Sequence, residues 1–313
     1  KQRNQALNSF EAVARKWHAD QQAKPDKWTP EHAHRLLRSL ELHIFPDIGQ
    51  RPIVEIMPLE VLSLLQRLEA AGKYDTAHKV YDVVNQVFSY AVRLRICVFN
   101  PAAELRRELA QVKQQSFHHL SDPAEIGQLL RDIDGYTGTP QVRILLKLSP
   151  YVFTRPAELL MMKWEELDLD NGIWEKSGEG ERKGERMKNG LDFLIPLSRQ
   201  AAALIEQMKP ITGHYDYVFW NKDKGQPFSE AAAIKALHRL GYKGKQTMHG
   251  FRHIASTALN EQGFNGDWVE RQLAHKDPNQ TRKTYNKAEY LEQRTAMMQA
   301  YADYLDSLKD GNK

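Results

Sequence analysis

The chain has 313 residues, 41% apolar and 27% charged, which is enough for two ordinary domains of a globular protein. Its net charge of +4 is a mild hint of a polyanionic partner, and its one cysteine, Cys97, excludes an internal disulfide and a cysteine metal cluster and fits a reducing, intracellular compartment. No uncharged apolar run approaches the roughly 18 residues of a membrane span, and the opening KQRNQALNSF lacks the apolar core of a signal peptide.

Helical signals fill the first hundred residues. Residues 10–19 form a short amphipathic segment. Thr29-Pro30-Glu31 reads as a helix start, with Leu36, Leu37 and Leu40 behind it at helical spacing. Pro58 opens another helix, with Leu59, Leu62, Leu65 and Leu68 expected on one side and an end near Gly72. After Asp75, the residues Ala77, Val80, Tyr81, Val84, Val87, Phe88 and Ala91 recur at three and four and give one apolar face. Asn100-Pro101 stops that region. Cys97, between Ile96 and Val98, reads as a small core residue. The expectation is a helical domain over 1–105, followed by a polar linker over 106–120.

A second domain, 121–313, begins at Ser121-Asp122-Pro123, a further helix start. Residues 141–153 read as a buried helix, and Arg155-Pro156-Ala157-Glu158 starts the next. Leu167 to Trp174 reads as two short strands around Asn171-Gly172. A second hairpin signal lies at Arg186-Met187-Lys188-Asn189-Gly190, with Phe193 and Ile195 alternating toward Pro196. From Ser198 onward helices are expected to dominate. The fold class is therefore mainly α with a small antiparallel β-sheet inserted in the C-terminal domain.

Charge is unevenly spread. Residues 231–260 contain no Asp or Glu but carry Lys235, Arg239, Lys243, Lys245 and Arg252, with His238, His249 and His253, a basic face suited to phosphate. His249 and Arg252 stand three apart and share a helix face. Arg155 sits at a helix start, Lys188 before a tight turn, and His275 ten residues before Tyr285. Two arginines, two histidines, a lysine and a tyrosine suit metal-free phosphoryl transfer. Arginines grip non-bridging oxygens, histidine moves a proton near neutral pH, and tyrosine can form a covalent ester with phosphorus. A zinc site at His249 and His253 is disfavoured, because HGFRH lacks the glutamate of a HExxH site and no third ligand is evident.

The ordered set Arg, Lys, His-x-x-Arg, His, Tyr resembles the tyrosine recombinases, and within them the integrases of temperate phages and genomic islands. The matching segments are Thr154-Arg155-Pro156-Ala157-Glu158-Leu159; Glu185-Arg186-Met187-Lys188 followed by Ile195-Pro196-Leu197-Ser198; Thr247-Met248-His249-Gly250-Phe251-Arg252-His253; Leu273-Ala274-His275; and Tyr285-Asn286-Lys287-Ala288-Glu289-Tyr290-Leu291. Thr154 and Ala274 stand where members often have a small residue or glycine.

The resemblance implies a site-specific recombinase serving DNA integration and mobile elements. In it Tyr285 attacks the scissile phosphorus, Arg155 and Arg252 hold phosphate oxygens, and Lys188 protonates the leaving 5′ oxygen. His249 contacts phosphate and assists proton transfer, His275 adds a hydrogen bond to phosphate, and Glu158 buttresses Arg155. No cofactor is implied. The partners implied are double-stranded DNA, held in a C-shaped clamp, the chain itself as a tetramer on two sites, and accessory DNA-bending or directionality proteins, with no membrane. The tail with Leu291, Met298, Tyr301, Leu305 and Leu308 either docks on a neighbouring protomer or packs on its own domain. Because the chain starts at Lys1, it is expected to be a piece of a longer protein, without the upstream arm-binding domain common in this branch. The competing readings are a type IB topoisomerase-like enzyme and a DNA-binding protein without catalysis.

Overall fold

Apolar residues spaced at three and four through the N-terminal third of the chain each find a helix to sit on. The structure, a computed structural model, describes residues 8–25, 27–112, 117–180, 184–187, 190–275 and 290–311. It divides into two compact units, Lys1–Gln115 and Ser116–Lys313.

The first unit holds α1 (Phe10–Gln22), α2 (Pro30–His43), the single turn α3 (Phe45–Ile48), α4 (Pro58–Ala70) and α5 (Tyr74–Arg93). Side-chain oxygens of Ser9 and Thr29 accept from the free N–H groups of Ala12 and His32 and so cap α1 and α2. On α5 the face expected from the sequence is buried, including Ala77, Val80, Val84, Val87, Phe88 and Ala91. On α4 the expected face is corrected. Val61, Leu64, Leu65 and Leu68 are buried and Leu59 is 72% exposed. The i, i+3, i+4, i+7 series starts at Val61, and Leu59 falls off its stripe. Leu105 and Leu109, inside the polar stretch after α5, pack into this unit's core, as does Cys97.

The second unit begins its helices with α6 (Pro123–Asp134), α7 (Pro140–Val152) and the short α8 (Pro156–Leu160). Three strands follow, β1 (Leu167–Asp168), β2 (Ile173–Lys176) and β3 (Phe193–Pro196), in an antiparallel sheet of order β1-β2-β3. Trp174 pairs with Leu167 on one side and Ile195 on the other. Beyond lie α9 (Arg199–Glu206), the single turn α10 (Lys209–Thr212), a two-stranded hairpin of β4 (Trp220–Asn221) and β5 (Gln226–Pro227), then α11 (Glu230–Arg239), α12 (Gly250–Glu261), α13 (Gly266–Gln272) and α14 (Leu291–Lys309). Among the described residues helices dominate after Ser198, as expected, and the short hairpin β4–β5 has no counterpart in the sequence pattern. Two-residue strands are too short to print a period of two in the sequence.

The sheet is anchored by a buried charge pair. Lys176 is fully buried, and its Nζ donates to both carboxylate oxygens of Glu166 at 2.9 and 3.1 Å and to the Met161 carbonyl at 3.0 Å. The same carboxylate accepts from the Trp174 indole at 2.9 Å, so the buried ammonium and carboxylate are both satisfied. The last helix, α14, packs on its own unit, with Met297, Met298, Tyr301, Ala302 and Leu305 in the core. It crosses α6 so closely that a Cβ on Gly127 would stand 2.3 Å from the Leu308 carbonyl oxygen. Among the described residues no helix is long and apolar enough to cross a membrane.

Candidate active site

Two helix C-termini and two helix N-termini of the second unit converge on a pair of arginines. Helix α7 ends at Phe153, in the left-handed region at φ +35°, and α13 runs out through Leu273 into Ala274, at φ +50°. A left-handed residue turns the chain at a helix end and leaves the last carbonyls without intrahelical partners. Here guanidinium groups take them up. Arg252, on the first turn of α12, donates from one terminal nitrogen to the Phe153 carbonyl at 2.9 Å and from the other to the Leu273 carbonyl at 2.6 Å. Arg155, at the N-cap of α8, donates to the Ala274 carbonyl at 3.1 Å. Both cations therefore lie at the negative ends of helix dipoles, which favours them there.

Glu158 fixes Arg155 from the other side. Its carboxylate accepts from the Arg155 main-chain N–H at 3.2 Å and from the guanidinium at 3.0 Å, and the glutamate is 4% exposed. Arg252 is 5% exposed. Burial, with the nearby Arg155 charge, pulls its pKa down to about 10, and Glu158 and Glu270 offset part of that, so it stays protonated at neutral pH.

His275 joins the same cluster. Its Nδ1 is 2.8 Å from a Glu270 carboxylate oxygen and its Nε2 is 3.4 Å from the Arg252 guanidinium. Glu270, one turn earlier on α13, carried no sequence signal that set it apart from any exposed helical carboxylate. His249 occupies the N-cap position of α12, half-buried, with no capping hydrogen bond from its side chain. Its pKa is pushed down to about 4, first by burial and then by the charges of Arg252, His253, Arg155 and His275. The ring is thus neutral at physiological pH and can accept a proton.

Four of the six residues singled out in the sequence, Arg155, His249, Arg252 and His275, are therefore brought together. Lys188 and Tyr285 lie outside the described residues. The chain on either side of Lys188 is held: the Met187 N–H donates to Ser177 at 2.8 Å and the Gly190 N–H to Met187 at 3.0 Å. Among the described residues no group of three or more His, Cys, Asp or Glu side chains is arranged to hold a metal ion.

Residues 10–108 match the phage integrase central domain, and residues 122–292 match the phage integrase family. The chain belongs to the phage integrase family. The integrase of Enterobacteria phage P4 is 35% identical over 97% of this chain and 70% of its own length. Prophage integrase IntA of Escherichia coli K12 is 33% identical over 97% of this chain and 72% of its own. The fold is shared with a lambda integrase dimer solved on a COC′ core site, with a TM-score of 0.68 at 15% identity over 86% of this chain and 96% of that one. The Tn1549 transposon integrase, solved with circular intermediate DNA, gives 0.66 at 18% identity over 92% and 99%. Membership makes the chain a tyrosine-type site-specific recombinase, and favours that reading over a monomeric topoisomerase or a DNA binder without catalysis.

Proposed function

We propose that the chain cuts and rejoins duplex DNA at attachment-type sites, through a 3′-phosphotyrosine on Tyr285. The observation that carries this reading is the cluster of Arg155, Arg252, His249 and His275. Arg155 and Arg252 hold the non-bridging oxygens of the scissile phosphodiester. Both terminal nitrogens of Arg155 and the Arg252 nitrogen bonded to Phe153 have a second hydrogen besides the one given to a carbonyl or carboxylate, so these donors are set before DNA arrives and need little reorganisation.

The Tyr285 hydroxyl attacks phosphorus and gives its proton to neutral His249. The bond from phosphorus to O5′ breaks, and the leaving oxygen takes a proton from Lys188. His275, oriented by Glu270, hydrogen-bonds the phosphate. The ester keeps the bond energy, and attack by a 5′ hydroxyl reverses the step with neither ATP nor metal. Four chains assemble on two duplex sites, and accessory DNA-bending or directionality proteins set the outcome. The setting is the bacterial cytoplasm, where the chromosome lies. The lambda integrase tetramer solved on a Holliday junction, with a TM-score of 0.67, supports this assembly.

A nicked suicide substrate tests the reading. Wild-type chain should accumulate a covalent protein–DNA adduct in EDTA, and Tyr285→Phe should bind the same DNA without forming one. An adduct on the Phe variant would move the nucleophile elsewhere, with Tyr290 the next residue to replace.

A further inference from the structure

The polar segment leading into the second unit does more than connect. Residues 117–120, Phe-His-His-Leu, lie along the N-terminal end of α12 and are fastened at each step. The His118 carbonyl accepts from the Thr247 N–H at 3.1 Å and from its hydroxyl at 3.2 Å. The Leu120 N–H donates to the Gln246 side chain at 3.0 Å. The His119 and His253 rings stack at 4.8 Å with 19° between their planes. The Phe117 ring, itself 53% exposed, covers His249 with centroids 4.1 Å apart. Gly250 is required at this crossing, because a Cβ there would stand 2.5 Å from the His118 carbonyl oxygen.

We propose that Phe117 is a positioning residue for the recombination site: carried by this strap, its ring screens the His249 imidazole from water and fixes its plane beside Arg252. The aromatic ring offers the imidazole no hydrogen bond and displaces water that would solvate a cation, so it works against protonation. The charged and titratable groups around His249 act in the same sense: Arg252 and His253 on its own helix, Arg155 on α8, and His275 beyond α13. Across from them the strap brings His119, which faces His253. A neutral His249 is what the proton transfer from Tyr285 needs, and in that respect the inference rests on the proposed function.

The test is the titration of the His249 ring, followed by proton NMR on the full DNA-free chain, beside the pH profile of adduct formation on a suicide substrate. Phe117→Ala should raise the His249 midpoint by about one pH unit toward the ordinary histidine value. The acid limb of adduct formation should move to higher pH by the same amount, so the rate falls more at pH 5 than at pH 8. Phe117→Tyr keeps the ring and should titrate like wild type. Gly250→Ala, which displaces the strap, should shift the midpoint in the same direction as Phe117→Ala. A His249 midpoint that stays put in Phe117→Ala, or an equal loss of rate at every pH, would overturn the inference. The NMR titration does not depend on catalysis, so it stands even if the nucleophile proves to be another residue. Phe117 is largely exposed, so its replacement leaves the core untouched.

Discussion

Removing Arg155 does two separable things. It takes a phosphate donor from the site, and it strands the Glu158 carboxylate, which is 4% exposed and keeps only a main-chain N–H as partner. The first effect should slow cleavage by at least ~10²-fold, as for loss of one donor to a developing oxyanion. The second should lower stability by about 1–3 kcal/mol, the cost of leaving a buried polar group underpaired. The double variant Arg155→Ala/Glu158→Gln should therefore regain much of the stability and none of the cleavage. Urea denaturation beside adduct formation on a suicide substrate reads the two effects independently. Recovery of cleavage in the double variant would mean that Arg155 serves the fold alone. The sequence pointed to both residues, since charged side chains at a helix start advertise themselves. It was silent on their main-chain partners, because a carbonyl acceptor looks the same under every residue letter.

At the scale of elements, amphipathic helices were the most readable features, and short or irregular ones the least. Helix α5 follows its apolar stripe, while β4 and β5 left no trace in the pattern. Neither turn into the site was visible either, because Phe153 and Ala274 occupy left-handed positions without being glycine. Such a conformation costs an L-residue roughly 1–2 kcal/mol. Ala274→Gly should thus stabilise the chain by about 0.5–1 kcal/mol, part of the relief being lost to the greater freedom of glycine when unfolded. A lower urea midpoint for this variant would show that the alanine methyl packs better than its backbone is strained.

Helix α14 illustrates a different kind of blindness. Its apolar residues were legible, but Arg294 is fully buried among them. Its Nε donates to the Gln272 side chain at 2.9 Å and a terminal nitrogen to the Leu194 carbonyl at 2.6 Å, while the guanidinium lies 4.6 Å from the Phe193 ring centroid. One side chain thus joins α14 to α13 and β3. Arg294→Met keeps the bulk and drops the donors, and should cost about 2–4 kcal/mol in urea denaturation, from unpaired acceptors and the lost cation–π contact. A variant as stable as wild type would make the arginine dispensable to the seating of the last helix.

For the whole molecule, two separate cores mean that each unit carries its own folding information. Residues 117–313 should fold alone with a cooperative thermal transition, because their apolar core is closed within the unit. A fragment starting at Ser121 would look equivalent from sequence, where 106–120 reads as a polar linker without periodicity. It should nevertheless melt lower than the one starting at Phe117, since it lacks the strap contacts to Gln246, Thr247 and the His253 ring. Differential scanning calorimetry on the two fragments decides this, and coincident melting temperatures would reduce the strap to a passive tether. The stretch expected as a linker gives Leu109 to the first core and Leu120 to the second, and its remaining contacts use carbonyls, an N–H and stacked rings, which print no period in the sequence.

The placing of both arginines against main-chain oxygens bears on how the site tolerates genetic drift. A side-chain acceptor disappears with one codon change, whereas the carbonyls of Phe153, Leu273 and Ala274 survive any replacement that keeps the local turn. The aim of the two guanidiniums is thereby stored largely in backbone shape, and mutational risk is concentrated in the arginines and in Glu158, whose carboxylate holds Arg155. Neighbouring side chains can change without disturbing that aim, provided the left-handed turns at Phe153 and Ala274 are kept.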